Sequence, residues 1–143
     1  MFVGIDVAHD PLKKNPSVVG LVASLNNVCT KYVSICRMQA VHQELVDNIR
    51  TAFIDALATY FETNNYYPDR IIVFRDGGCG SDPTRFCQKE VDQMMKAIEE
   101  TCPHAKFTFV VVQKRIGQRF FKTDQVIMMS CIHKGITFTL HCS

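Results

Sequence analysis

Two apolar runs, each closed by an aspartate, decide the fold: Phe2-Val3-Gly4-Ile5-Asp6-Val7 and Arg70-Ile71-Ile72-Val73-Phe74-Arg75-Asp76-Gly77. Both runs have the length and the aliphatic and aromatic content of buried strands. A carboxylate at the end of a buried strand is costly unless something pairs with it. If the strands lie side by side and parallel, Asp6 and Asp76 emerge together at the carboxyl end of the sheet, where open sheets bind ligands.

A pair of converging carboxylates indicates a divalent-metal site. Oxygen ligands suit Mg²⁺ or Mn²⁺ better than zinc, and two such ions promote attack of water on a phosphodiester. The alternative is that Asp6 and Asp76 are turn residues that accept hydrogen bonds from nearby amides, which is common for aspartate. The residues alone leave both interpretations open.

The periodicity of the first half of the chain predicts strands followed by a helix. Strands at 2–8, 18–25 and 30–39, joined by short turns, predict a three-stranded antiparallel meander. Apolar residues then recur at three- and four-residue spacing from about 43 to 63, which predicts an amphipathic helix that ends at Asn64-Asn65.

The second half alternates strands and helices. A strand at 70–75, a helix at 83–101 and a strand at 106–113 are expected, with weaker strand-like stretches at 125–130 and 135–140. Because strands joined through a helix are normally parallel, the fold class is α/β, with a mixed sheet and flanking helices.

Composition narrows the class of protein. A chain of 143 residues predicts one domain, and a net charge of +2 requires any nucleic-acid-binding surface to be local. The seven cysteines include no metal-knuckle or redox spacing, so reduced thiols in a cytosolic or nuclear compartment are expected. No run approaches the ~18 apolar residues of a membrane span.

Several motifs, in consistent order over roughly residues 2–121, resemble the Piwi domain of the Argonaute family. The similarity is greater to the Piwi branch than to the Ago branch. The motifs that carry it are Val3-Gly4-Ile5-Asp6-Val7-Ala8-His9-Asp10, Gly20-Leu21-Val22-Ala23-Ser24-Leu25-Asn26, Gln43-Glu44-Leu45, Pro68-Asp69-Arg70-Ile71-Ile72-Val73-Phe74-Arg75-Asp76-Gly77 and Thr108-Phe109-Val110-Val111-Val112-Gln113-Lys114-Arg115-Ile116.

This resemblance implies a ribonuclease H-like fold, guide-directed RNA binding and, in active members, metal-dependent cleavage of the paired RNA. It implies that Asp6 and Asp76 are the two catalytic aspartates and that Glu44, at the start of the first helix, completes the set of Mg²⁺ or Mn²⁺ ligands. Taken alone, Glu44 is more simply an acidic residue that favours the helix dipole.

A basic cluster follows the last clear strand and consists of Gln113, Lys114, Arg115 and Arg119. Such side chains bind phosphates regardless of base sequence. The resemblance implies that they hold the guide backbone, and composition alone favours a solvated loop. The expected partners are a small guide RNA and its complementary target, with no membrane and no small-molecule substrate.

The chain also departs from the family pattern. The loop at 78–82 differs, and 122–143 shows no resemblance, so we expect a partial Piwi domain over 1–121, truncated at its C-terminus, and a divergent tail. The family's fourth ligand, a distant histidine, and its guide-anchoring domains are expected outside this chain. We therefore expect little or no cleavage by the chain alone. The alternative is a non-catalytic RNA-binding or protein-interaction fragment.

Overall fold

The computed structural model describes residues 1–43, 46, 48–76 and 83–112, with side chains in the second helix from Cys87 onward. Within these residues the chain forms five strands and two helices. In chain order they are β1 (Phe2–Ala8), β2 (Ser17–Ser24), β3 (Tyr32–Gln39), α1 (Ile49–Asn64), β4 (Arg70–Asp76), α2 (Pro83–Thr101) and β5 (Lys106–Val112).

The strands form one mixed sheet in the order β3-β2-β1-β4-β5. Strands β1, β2 and β3 pair antiparallel, which confirms the predicted meander. Strand β4 pairs parallel with β1 and with β5, as expected for strands joined through helices. The predicted strands at 125–130 and 135–140 lie outside the described residues.

The two faces of the sheet differ because side chains alternate along each strand. Val3 and Ile5 of β1 and Val73 of β4 are buried, and they join one core cluster with the apolar residues of α1 and α2. On the opposite face Phe2 and Phe74 are 46% and 41% exposed. We call this second face the open face, because among the described residues both helices contribute to the core on the first.

The start of α1 differs from the prediction. The helix begins at Ile49, not near residue 43. His42 has a φ of 58°, and the backbone N–H of Val46 donates to the Glu90 carboxylate at 3.0 Å instead of to a carbonyl one turn earlier. Leu45, whose spacing extended the predicted helix, lies outside the described residues, and its neighbour Val46 is 2% exposed without being helical.

The other helix boundaries agree with the sequence. Helix α1 ends at Asn64, and Asn65 takes the left-handed conformation, with a φ of 61°, and donates its N–H to the Phe61 carbonyl at 2.7 Å. Asparagine tolerates that conformation better than most residues. Helix α2 spans Pro83–Thr101 as predicted, with proline in the first turn, where the missing N–H costs nothing.

The core of α1 gives a stability prediction. Phe53 is fully buried, so we expect Phe53→Ala to lower the free energy of unfolding by about 3–5 kcal/mol. The control is Phe61→Ala in the same helix, where the ring is 41% exposed and the loss should be about 1 kcal/mol or less. Urea denaturation measures both, and similar losses would show that α1 does not bury the face assigned here.

Candidate metal-binding site

The two aspartates lie next to each other at the carboxyl end of the sheet. The parallel register places Ile5 opposite Arg75, so Asp6 and Asp76 are the next position on each strand. Neighbouring strands are about 4.8 Å apart, and residues in register project on the same face. The prediction that β4 lies parallel to and beside β1, with both aspartates at one end, is confirmed. Their role as metal ligands stays a prediction.

The surroundings of the pair leave space on the open face. Asp6 is exposed and Asp76 is half-buried. Asp6 pairs with Gly20 of β2, and Gly4 precedes it on the same face. A Cβ atom built on Gly4 would meet nothing within 4 Å, and one on Gly20 would meet the Asp6 carbonyl oxygen at 4.0 Å. Within the described residues, the two glycines therefore place no side chain over Asp6.

Each aspartate accepts a local hydrogen bond, Asp6 through its carboxylate and Asp76 through its backbone carbonyl. The Asp6 Oδ1 accepts the N–H of Val7 at 2.8 Å, as the turn-residue alternative expects. The Asp76 carbonyl oxygen accepts a bond from the Arg75 guanidinium. A carboxylate has about four acceptor positions, so one amide bond leaves Asp6 able to bind a cation. Two oxygen-rich groups on one face fit a hard divalent ion.

A buried ion pair lies on the other side of β4. Arg75 Nε donates to Glu90 Oε2 at 3.1 Å, and the two side chains are 1% and 0% exposed. The sequence patterns did not predict this ion pair. The available signal was a charged residue at a core-facing position of a strand, two residues after Val73, which requires a buried partner of opposite charge. Glu90 also follows Cys87 by three residues on the buried side of α2.

A second contact joins the end of β1 to the chain before α1. His9 Nδ1 forms a hydrogen bond with Ser17 Oγ at 2.8 Å. The rings of His9 and His42 stack with centroids 5.3 Å apart. The N–H of Gln43 donates to the Ala40 carbonyl at 3.2 Å. The chain just before residue 44 is thus held beside the strand that carries Asp6.

The remaining predicted site residues lie outside the described residues. They are Glu44, Gln113, Lys114, Arg115 and Arg119, together with the loop at 77–82. Within the described part of the chain, no three histidine, cysteine, aspartate or glutamate side chains form a metal-binding group. The first turn of α1 holds no acidic residue, and Glu44 precedes the helix in sequence.

Two general expectations concern cysteines and membranes. In the part of the chain that the structure describes, Cys29, Cys36 and Cys102 are free thiols, and burial raises the pKa of the Cys102 thiol. Among the described residues, neither helix has the length and apolarity needed to cross a bilayer.

The fold matches that of solved Argonaute and Piwi structures. Kluyveromyces polysporus Argonaute with a guide RNA superposes with a TM-score of 0.72 at 23% identity, over 87% of this chain and 16% of that one. Drosophila Piwi gives a TM-score of 0.68 at 18% identity, over 96% of this chain and 22% of that one. The fold is therefore the ribonuclease H-like fold of these domains.

The sequence comparisons identify the family. The Piwi domain family model matches residues 1–142, and the chain belongs to that family. Gallus gallus Piwi-like protein 1 is 38% identical over 123 residues, which is 85% of this chain and 14% of the relative. Bombyx mori Piwi-like protein Ago3 is 41% identical over 123 residues, which is 85% of this chain and 13% of the relative. The chain thus spans about a seventh of each relative's length.

The loop after β1 is built around one carboxylate. Asp10 accepts the N–H groups of Leu12 at 3.0 Å, Lys14 at 3.2 Å and Asn15 at 3.0 Å, and the Asn15 side-chain amide at 3.0 Å. The bond from Leu12 contributes most, and together these bonds hold the pKa of Asp10 below its ordinary value of 3.8. The loop therefore presents Lys13 and Lys14 in a fixed conformation beyond the strand that carries Asp6.

We predict that this loop loosens in acid. The pKa of Asp10 is lower in the folded chain than in the unfolded one, so the ionised carboxylate stabilises the loop fully at pH values above its ordinary pKa of 3.8. This stabilisation is lost as the pH falls through the lowered pKa. Amide exchange of Leu12 and Asn15 should accelerate below about pH 4, after correction for intrinsic rates. In Asp10→Asn this acceleration should disappear, and an unchanged profile in that variant would assign the effect to another group.

Proposed function

We propose that this chain is the part of a small-RNA-guided silencing protein that holds the catalytic metal ions beside a guide–target RNA duplex. Asp6, Asp76 and Glu44 are the proposed ligands of Mg²⁺ or Mn²⁺. The observation that carries the proposal is the parallel register, which brings Asp6 and Asp76 to adjacent strands on the open face. The Piwi family membership supports the assignment of the partner as RNA.

The chain's own residues have distinct tasks in this proposal. Asp6 and Asp76 are rigid, because each continues a paired strand, and they fix two oxygen donors in one row. Bound divalent ions would supply stabilisation of the charge that develops on the scissile phosphate. Among the described residues, the glycines next to Asp6 add no side chain on the open face, which supports approach of a duplex from that side. The proposed compartment is cytosolic or nuclear.

The basic cluster supports binding of the RNA backbone at the same end of the sheet. Asp76 pairs with Val112, the last residue of β5, and Gln113 follows directly in sequence. Lys114, Arg115 and Arg119 are the proposed phosphate contacts. Three such contacts predict a slope of about −2 to −3 for the logarithm of RNA affinity against the logarithm of salt concentration.

Metal binding is the first test. We expect Asp76→Asn to weaken Mn²⁺ binding by at least about 10-fold, because it removes one of two carboxylates in the row. Asp69→Asn is the matched control, since Asp69 immediately precedes the other end of β4. Isothermal titration calorimetry of the chain with MnCl₂ measures both. Equal affinity in the two variants would contradict the assigned site.

Cleavage is the second test. With Mn²⁺ and a guide–target duplex, we expect RNA binding with little or no cleavage, because the matched segment is only 13–14% of each whole relative. Labelled target RNA on a denaturing gel gives the readout, with Asp76→Ala as the control. Robust cleavage that Asp76→Ala abolishes would show that these residues suffice for the reaction.

The non-catalytic alternative predicts a different pattern. A pure RNA-binding module would show the same steep salt dependence, with no change when EDTA is added. A protein-interaction fragment would show no RNA affinity at micromolar concentration. Binding that depends on Asp76 and on Mn²⁺ supports the proposed site over both.

A further inference from the structure

Glu90 connects two segments that the proposed site depends on. Its carboxylate is fully buried and accepts the Val46 N–H at 3.0 Å through Oε1 and the Arg75 Nε–H at 3.1 Å through Oε2. Val46 is 44 residues away in sequence, and Arg75 is 15 residues away. One side chain on α2 therefore holds both the segment before α1 and the end of β4.

Arg75 links Glu90 to the backbone of Asp76. Arg75 immediately precedes Asp76, and its guanidinium also donates to the Asp76 carbonyl oxygen. Because neighbouring residues of a strand face opposite sides, Arg75 enters the core while Asp76 faces the open side. Arg75 therefore contacts both Glu90 and the backbone of Asp76.

The contact with Val46 reaches the segment that contains Glu44. Val46 is two residues after Glu44 in sequence. Helix α2 holds Val46 at both polar backbone atoms, because the Gln93 side-chain amide also donates to the Val46 carbonyl at 3.4 Å. Val46 is thereby fixed relative to α2 although it lies in no helix or strand.

We propose that Glu90 is a positioning residue, which holds Val46, two residues after Glu44 in sequence, in a fixed relation to the end of β4 that carries Asp76. This inference rests on the proposed function, because it takes Glu44 and Asp76 as ligands. A role in stability alone is a weak explanation, since replacing a buried ion pair by apolar residues is often neutral or stabilising. The hydrogen bond to the Val46 N–H is the specific element that such a replacement removes.

The test compares two double variants that differ only in that hydrogen bond. Arg75→Met with Glu90→Leu removes both charges and leaves the Val46 N–H without its carboxylate acceptor. Arg75→Met with Glu90→Gln also removes both charges but retains an amide oxygen at the same position. Both variants carry the same Arg75→Met change, so the difference between them reports on the side chain at position 90 alone. Glu100→Gln is the control, because Glu100, also on α2, forms an exposed ion pair with Arg50 of α1.

Two independent measurements test the proposal. Hydrogen exchange at the Val46 amide, relative to Val73 in the sheet, should be at least about 10-fold faster in the Leu variant than in the Gln variant. The Mn²⁺ dissociation constant should rise by about 10- to 100-fold in the Leu variant and by less in the Gln variant. Glu100→Gln should change neither quantity.

The outcomes separate this inference from the proposed function. Equal Val46 exchange in the two double variants overturns the positioning role, as does equal Mn²⁺ affinity in them when the wild-type chain binds Mn²⁺. If the wild-type chain does not bind millimolar Mn²⁺, the proposed function fails. In that case Val46 exchange alone decides whether Glu90 holds this segment.

Discussion

The parallel pairing of β1 with β4 is the constraint on which the rest of the structure depends. β1 lies between an antiparallel neighbour and a parallel one, so it joins the meander to the helix-connected half of the chain. A slip of one residue would turn Ile5 to the open face and Asp6 into the core. Burial of Val3 and Ile5 therefore fixes both the register of β1 and the face of the sheet on which Asp6 lies.

The same alternation explains why a charged pair lies in the core. If Asp76 is to face the open side, the residue before it must face the helices, and that residue is Arg75. A buried guanidinium needs a carboxylate, and Glu90 on α2 supplies one. The acidic group on the open face and the ion pair in the core are thus two consequences of one strand register.

Most of the fold could be predicted because its signals are local. Alternation marks β3, and Pro83 marks the start of α2 in the sequence. The start of α1 could not be predicted from periodicity. Val46 precedes the helix, and its backbone N–H donates to the Glu90 carboxylate of α2, a contact that depends on tertiary packing.

The candidate site was predictable in part for the same reason. The neighbourhood of Asp6 and Asp76 follows from strand order and direction, which general rules of connection supply. The link from Arg75 to Glu90 depends on which turn of α2 lies over β4, and no local pattern specifies that. A core-facing arginine does show that a buried acid must exist, without showing where.

The division of the sheet into two faces also limits how the proposed nucleic-acid partner could approach. The helix side is filled by a continuous core from both helices, so a ligand reaches the carboxyl end of β1 and β4 from the open face or from the edge. Phe2 and Phe74 stack on that face, with ring centroids 6.5 Å apart, in the two strands that carry the aspartates. Because Gly4 separates Phe2 from Asp6 on β1, and Phe74 is two residues before Asp76 on β4, the apolar pair borders the carboxylates without covering them. Among the described residues, both aspartates lie at the rim of the open face, while Arg75 and Glu90 are buried on the helix side of the sheet.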